Sequence, residues 1–442
     1  MASDQRPLRQ CGIYRNLPDF NPSIKGLKAI VVGATGISGF GALRSLLDTP
    51  QRWSTVCALS RKPIPPEMRT VLSQEQLSCV QHVSIDLGGS GESIASSLRE
   101  AKVQADYVFF FAYLHPQGKS AMDPSMASAL VETNAPIFSN FLKALDLADI
   151  KPERILLQTG GKNYGCHIGR ARTPYIESDP RPAHLSDNFY YHQEDALFEY
   201  CRQHPRTGWN VIRPFPIVGA TSYVGMNTML PFAVMAAVQA DKGEPIFFGG
   251  DIEEWQYEES FSSARLTGYV CEWAVLEDKC RDQAFNAVDG CTMSWDRFFG
   301  ELDRWYRVEA GIQGLELDES KFSAIELAGG KDCPLGYGPP PALKLASRIH
   351  DWAQDPVNAQ TWKDIMAASQ GQVKTDVFES GLDTVLAEFA YYKVGQPSMA
   401  KLRRFGFTGF VDTVESVFEM YYDLEKMGVL PPMAVSEARP MV

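Results

Sequence analysis

Three glycines at intervals of three, Gly33, Gly36 and Gly39, stand in the segment Gly33-Ala34-Thr35-Gly36-Ile37-Ser38-Gly39. An apolar run, KAIVVG, precedes them, and a stretch with helical spacing, GFGALRSLLD, follows. A strand that turns tightly into a helix offers free N–H groups at the helix N-terminus, where the dipole favours negative charge. Gly33 permits the turn, Gly36 lets the backbone approach a pyrophosphate, and Gly39 allows close helix–strand packing. With Thr35 and Ile37 between them, these residues read as a dinucleotide-binding loop. The bland alternative is a glycine turn without a ligand, and the strand–turn–helix context counts against it.

G-x-x-G-x-x-G is the spacing of short-chain dehydrogenases and their extended relatives. The end of the second strand chooses the dinucleotide, because a carboxylate there binds ribose hydroxyls. This chain has Ser60-Arg61-Lys62 instead. Arg61 can pair with a 2′-phosphate and no acid competes, which favours NADPH; a surface basic pair is the alternative. Asp86 is placed to bond the adenine amino group, or is a plain loop aspartate.

A standard relative carries Y-x-x-x-K on one helix, the tyrosine as proton donor and the lysine lowering its pKa from about 10. Here the segment is Asn188-Phe189-Tyr190-Tyr191-His192-Gln193-Glu194-Asp195. Tyr191 and Asp195 are four apart and share a helix face, so an acid stands where the lysine should be. Some other cation must help. RILLQT runs into Gly160-Gly161-Lys162-Asn163-Tyr164, and ligands of open α/β sheets bind outside the carboxyl ends of the strands. Lys162 therefore falls on the site rim, able to reach the tyrosine oxygen or a developing oxyanion, unless it is a solvated loop lysine. Tyr191 and Lys162 are the expected catalytic residues, Tyr191 also touching the cofactor. Tyr190 is read as packing, and His167 and His192 as surface or supporting residues.

Six strands are expected to carry these residues: KAIVVG, STVCALS, CVQHVSID, DYVFFFA, RILLQT and WNVIRP. Helical stretches lie between them, as around Asn134–Leu147. Strands alternating with helices give an α/β fold, a Rossmann-type doubly wound parallel sheet. Residues 1–26 read as an N-terminal arm without periodicity and 27–215 as the NADP-binding domain. Residues 216–442 read as a smaller, mainly helical substrate lobe, from which a short strand at about 285–290 returns to the sheet. GYGPPP (336–341) breaks that lobe.

The 442 residues allow two or three domains, and 45% hydrophobic content excludes a largely disordered chain. A net charge of −12 argues against nucleic acid and anionic membrane surfaces as partners. No apolar run approaches the roughly 20 residues of a membrane span, and the N-terminus lacks the apolar core of a secretory signal. Nine scattered cysteines without a CxxC fit a reducing cytoplasm, and no histidine pair has metal-ligand spacing. Oligomeric state stays open, a homodimer being one option, because no interface helix stands out.

LQTGGKNYG, EsDPRP (177–182), NFYYHQED, VIRPFPIVG and GMNT occur in an order that resembles the progesterone 5β-reductase / iridoid synthase group of atypical short-chain dehydrogenases. AFNAVDG, Trp295 and SMAKLRRFGFTGF extend the likeness, which runs over nearly the whole chain from about residue 27. The resemblance implies NADPH-dependent reduction of a conjugated enone in secondary metabolism. The enolate oxygen would be held by Tyr191 with Lys162 assisting, Arg61 would bind the 2′-phosphate, and the backbone of Pro216 and Ile217 would meet the nicotinamide amide. Three features depart from the group: Asn163 in place of histidine, Tyr113 in place of tryptophan, and a larger segment at 329–341. They touch substrate recognition.

Tyr113, Tyr164, Tyr223, Met226 and Trp255 are expected to line an apolar pocket for a small molecule; Phe109 and Phe111 fit the core better. The same parts would serve 1,2-reduction of a ketone. A non-catalytic NADP sensor would keep the glycine loop and lose the tyrosine and lysine. A sugar-nucleotide epimerase would keep NAD and an intact Y-x-x-x-K, against which Arg61 and Asp195 count.

Overall fold

The computed structural model describes residues 7–116, 123–393 and 395–439. Seven parallel strands form the central sheet: β1 (Leu27–Val32), β2 (Trp53–Ser60), β3 (Val80–Ser84), β4 (Tyr107–Phe110), β5 (Arg154–Gln158), β6 (Gly208–Pro214) and β7 (Gln283–Ala287). Their spatial order is β7-β6-β5-β4-β1-β2-β3, so the order reverses beside β1, the crevice where such sheets bind ligands. Each strand foreseen from the sequence is present. The returning strand lies two residues earlier than read, because Gln283 already pairs with Asn210.

Both faces of the sheet are covered, which explains the continuous apolar runs. Ala29 and Val31 of β1 face one core, and Ile30 and Val32 face the other. Helices α1 (Ile37–Leu47) and α6 (Ala264–Leu276) lie on the first face. Helices α2 (Gly91–Glu100), α3 (Ala127–Leu147) and α4 (Phe189–Gln203) lie on the second. α3 starts seven residues before the expected Asn134.

The C-terminal region is mainly helical. Its helices include α5 (Leu230–Lys242), α7 (Trp295–Tyr306) and α8 (Thr413–Lys426). A small antiparallel pair, Ser323–Glu326 with Ala342–Leu345, brackets the 329–341 segment. The segment before β1, expected to lack regular structure, carries a hairpin of Leu8–Cys11 and Tyr14–Pro18. Tyr14, Leu17 and Phe20 enter the main core, and Arg15 pairs with Glu415 of α8 at 2.7 Å. Three prolines hid that pattern, and the hairpin's partner lies 400 residues away, out of reach of local periodicity. Among the described residues no helix is long and apolar enough to cross a membrane.

Candidate active site

At the carboxyl end of β1 the chain turns through Gly33, whose φ of +81° is left-handed. A Cβ there would sit 3.0 Å from the backbone of Ala112, beyond β4. A Cβ on Gly39 would lie 2.1 Å from the Gly33 carbonyl oxygen, so any side chain would force the loop off the helix. Gly36 caps α1 with no side chain satisfying the first turn, which leaves the N–H groups available to an anion. This cradle fits a dinucleotide diphosphate. Ser60, Arg61 and Lys62 follow on adjacent β2, where the Ser60 hydroxyl donates to the Lys62 carbonyl at 2.6 Å and Ser84 donates to the Arg61 carbonyl at 3.0 Å. Both basic side chains stay exposed beside the loop. Asp86 follows β3 and accepts from the Gly88 amide at 3.0 Å, an Asx turn that uses one carboxylate oxygen. Gln158, at the end of β5, donates to Ser38 at 2.8 Å and ties the loop to the middle of the sheet. Ile217 pairs in parallel with Ser262, just beyond β6. The fold thus gathers the expected cofactor residues at the carboxyl ends of β1, β2, β3 and β6.

The second half of the site is the turn Gly161–Tyr164, held against the start of α4. Asn188 makes that junction. Its Oδ1 accepts from the Tyr190 amide at 3.0 Å, capping α4, and its Nδ2 donates to the Lys162 carbonyl at 3.0 Å. Lys162 as a residue is half-buried, but its ammonium is enclosed, and burial pulls its pKa down to about 8.

The two tyrosines of α4 differ in surroundings. Tyr191 is 6% exposed and its hydroxyl donates to the Asn163 backbone carbonyl at 3.0 Å. The Arg181 guanidinium lies 5.4 Å from its ring centre. Burial pushes the Tyr191 phenol up to about 12, against the Asn188 side chain and the charges of Arg181 and Arg213. Tyr190 instead points its hydroxyl toward the end of β5, where a Cβ on Gly160 would lie 3.2 Å from it. Tyr190 also packs with Tyr113 on Phe189, Met126 and Leu130. Among the described residues the Tyr190 hydroxyl has no hydrogen-bond partner. Burial raises its pKa well above the ordinary phenol value.

The acid expected to oppose Tyr191 is displaced by one residue. Asp195 is solvent-exposed and pairs with Arg181 at 2.6 Å. Glu194, 1% exposed, is the carboxylate that bears on Tyr191. It is held by Arg213 of β6 at 3.1 Å and by Arg181 at 2.7 Å. The charge that would destabilise a phenolate is thus neutralised by two guanidiniums, one of them buried.

The PRISE-like Rossmann-fold domain matches residues 29–319. The chain belongs to this family. Among curated relatives, the short chain dehydrogenase gsfE of Penicillium aethiopicum is 26% identical over 91% of this chain and 99% of its own length. The 3-oxo-Delta(4,5)-steroid 5-beta-reductase of Arabidopsis thaliana is 26% identical over 69% of this chain and 74% of its own. The (S)-8-oxocitronellyl enol synthase ISY1 of Nepeta racemosa is 29% identical over 66% and 71%. Among solved structures, a UDP-glucose-4-epimerase of Stenotrophomonas maltophila with bound NAD aligns with a TM-score of 0.50 at 13% identity, covering 66% of this chain and 87% of its own. That likeness is one of fold.

Two residues expected to line the pocket of this PRISE chain sit in packed structure instead. Tyr164 is 3% exposed, stacks on Tyr175 at 5.0 Å and donates its hydroxyl to Asn286 at 2.6 Å. Trp255 is buried between Phe248 at 5.0 Å and Phe299 at 5.5 Å, in the aromatic core of the C-terminal lobe. Aromatic side chains near strand ends serve core and pocket alike, and sequence spacing does not separate them. Tyr113 and Met226 stay half-buried, and Tyr223 is 66% exposed. Cys166 and Glu259, which sequence reading passed over, lie near each other, the buried Cys166 thiol feeling Lys162 and Glu259 alike. His192 pairs with Asp187 at 2.8 Å on the outer face of α4.

Proposed function

We propose that this protein is an NADPH-dependent oxidoreductase that reduces an apolar conjugated enone to the saturated carbonyl compound. Bound NADPH supplies the hydride, which adds to the β-carbon. Gly33 to Gly39 would hold its diphosphate on the N-terminus of α1, Arg61 and Lys62 would meet its 2′-phosphate, Asp86 its adenine, and Pro216 and Ile217 its nicotinamide. The protein's own work is at the oxygen. As the enolate forms, a phenol O–H donates a hydrogen bond to its oxygen and a proton from solvent adds to the α-carbon to complete the saturation, while Lys162 adds positive charge in an enclosed setting where charge acts strongly.

The donor role that the sequence assigns to Tyr191 passes in this proposal to Tyr190. The observation that carries it is the direction of the Tyr190 hydroxyl, toward Gly160 at the carboxyl end of β5, with no partner among the described residues. The Tyr191 hydroxyl is already donated to Asn163. Tyr191 then serves to lock α4 onto the Lys162 turn. A Cβ at position 160 would crowd that hydroxyl at 3.2 Å, so glycine there leaves the phenol its room.

The test is a pair of variants assayed by NADPH oxidation against a panel of enones, ketones and aldehydes, with product analysis. Tyr190→Phe is expected to lose 10²-fold or more in turnover, and Tyr191→Phe to lose far less. The reverse ranking returns the role to Tyr191. Products saturated at C=C support enone reduction, and alcohols support ketone reduction by the same residues. Wild-type turnover in both variants removes the phenol mechanism.

A further inference from the structure

The enclosed ammonium of Lys162 would gain water if its turn swung outward, because a buried charge is costly. The turn is held shut from two sides. On one side is α4, where the Asn188 amide donates to the Lys162 carbonyl at 3.0 Å and the Tyr191 hydroxyl to the Asn163 carbonyl. On the other side is the loop that continues the turn. Gly165, at a left-handed φ of +73°, donates its amide to the Lys162 carbonyl at 3.1 Å. The Cys166 thiol donates back to the Gly161 carbonyl at 3.4 Å. Cys166 and His167 both feel the Lys162 charge, so this loop wraps round the ammonium.

A segment distant in sequence grips the loop from outside. Residues 327–341, the Gly- and Pro-rich stretch of the C-terminal lobe, form a strap whose neck is closed by the Leu327 amide donating to the Pro341 carbonyl at 3.0 Å. Within it the Gly330 amide donates to the Gly338 carbonyl at 2.8 Å, and the Cys333 thiol donates to the Gly330 carbonyl at 3.2 Å. The strap thus holds its own shape. It meets the loop through the Ala328 amide donating to the Ile168 carbonyl at 2.9 Å and the Arg170 amide donating to the Ala328 carbonyl at 3.3 Å. The Leu335 amide donates to the Arg170 carbonyl at 2.8 Å, and Nε of Arg170 donates to the Pro339 carbonyl at 3.0 Å. Arg170 takes part in all but the first of these bonds. The packing is as close as the bonding. A Cβ on Gly169 would lie 2.1 Å from the Ala328 carbonyl oxygen, and one on Gly165 would lie 2.7 Å from both Pro182 and Pro334.

We propose that the 327–341 strap is a positioning element for the reduction and Arg170 a positioning residue, together clamping the 165–170 loop closed over Lys162. This rests on the reductase reading above and adds to it the device that keeps the lysine in place. An ammonium kept out of water acts on a developing oxyanion more strongly than a hydrated one.

The experiment uses full-length protein with isotope-labelled lysine Cε. NMR follows the titration of Lys162, whose signal is identified by its loss in Lys162→Met. Steady-state NADPH oxidation is measured in parallel with the best enone of the panel above. The wild-type midpoint should lie well below the ordinary 10.5. The double variant Arg170→Ala, Leu335→Pro removes two of the bonds and leaves the turn's own sequence intact. Its Lys162 midpoint should rise by about one pH unit or more as water reaches the ammonium. Its kcat at pH 7 should fall about tenfold or more, while KM for NADPH stays within about twofold. Arg170→Lys, whose ammonium can still donate to the Pro339 carbonyl, should keep the wild-type midpoint and kcat. Loss of general stability in a chain that stays folded would not move one lysine's midpoint. If the double variant unfolds, Arg170→Ala alone is read by the same two measurements. A midpoint that does not move in the folded variant overturns the strap's role, and so does a kcat that is unchanged once the midpoint has moved. Wild-type C=C reduction with an unmoved midpoint sinks the strap alone. A moved midpoint without C=C reduction by the wild type sinks the reductase reading alone.

Discussion

Lys162 offers a test that joins stability to catalysis. Its ammonium falls from an ordinary 10.5 to about 8 on burial. That difference corresponds to about 3 kcal/mol of cost to the folded state when the lysine is charged. The sign follows from proton linkage. Between about 8 and 10.5 the unfolded chain binds more protons than the folded one, so this group makes stability rise with pH across that window, and the full cost is present below it. Lys162→Met removes the ammonium and keeps an unbranched apolar stem. At pH 7 the cofactor-free variant should be more stable than wild type by up to about 3 kcal/mol. The gap should shrink to about half near pH 9.5 and close above the unfolded value. Urea unfolding of both proteins at several pH values measures it, and tyrosine and cysteine titrations common to both cancel in the difference. The same variant should lose 10²-fold or more in NADPH oxidation. A stability gap that does not change with pH, or a variant that is the less stable at pH 7, refutes the reasoning that an enclosed, charged lysine is held there at a cost for function.

Arg61→Ala should raise KM for NADPH about tenfold or more and leave KM for NADH unchanged, and an equal effect on both removes the 2′-phosphate assignment. Gly39→Ala places a Cβ 2.1 Å from the Gly33 carbonyl oxygen, so fluorescence titration should show NADPH binding lost while circular dichroism shows the fold retained; unchanged affinity contradicts the cradle. Glu194→Gln leaves buried Arg213 with no full counter-charge, and urea unfolding should show a loss of about 3–5 kcal/mol. A loss below about 1 kcal/mol would mean that solvent reaches this pair.

The sequence by itself determined the sheet and its ligand edge. Continuous apolar runs mark strands covered on both faces, and glycine spacing after β1 marks a close backbone approach; both are local properties of a chain. It also brought Lys162 and the Tyr190–Tyr191 pair into view, since each lies beside a strong strand or helix signal. Where each of the two phenols points was decided by tertiary structure. Neighbours on a helix point about 100° apart, and only the placement of α4 against the Gly160–Tyr164 turn sends Tyr190 toward β5 and Tyr191 onto a backbone carbonyl. The same holds for the acid near Tyr191. Glu194 replaces Asp195 because Arg213 of β6 reaches it from another part of the chain. Tyr164 and Trp255 became core residues for want of any local signal that separates a buried aromatic from a pocket one. The N-terminal hairpin on α8 and the Arg213–Glu194–Arg181 chain join separate segments of the sequence. Their energies exist only when those segments meet.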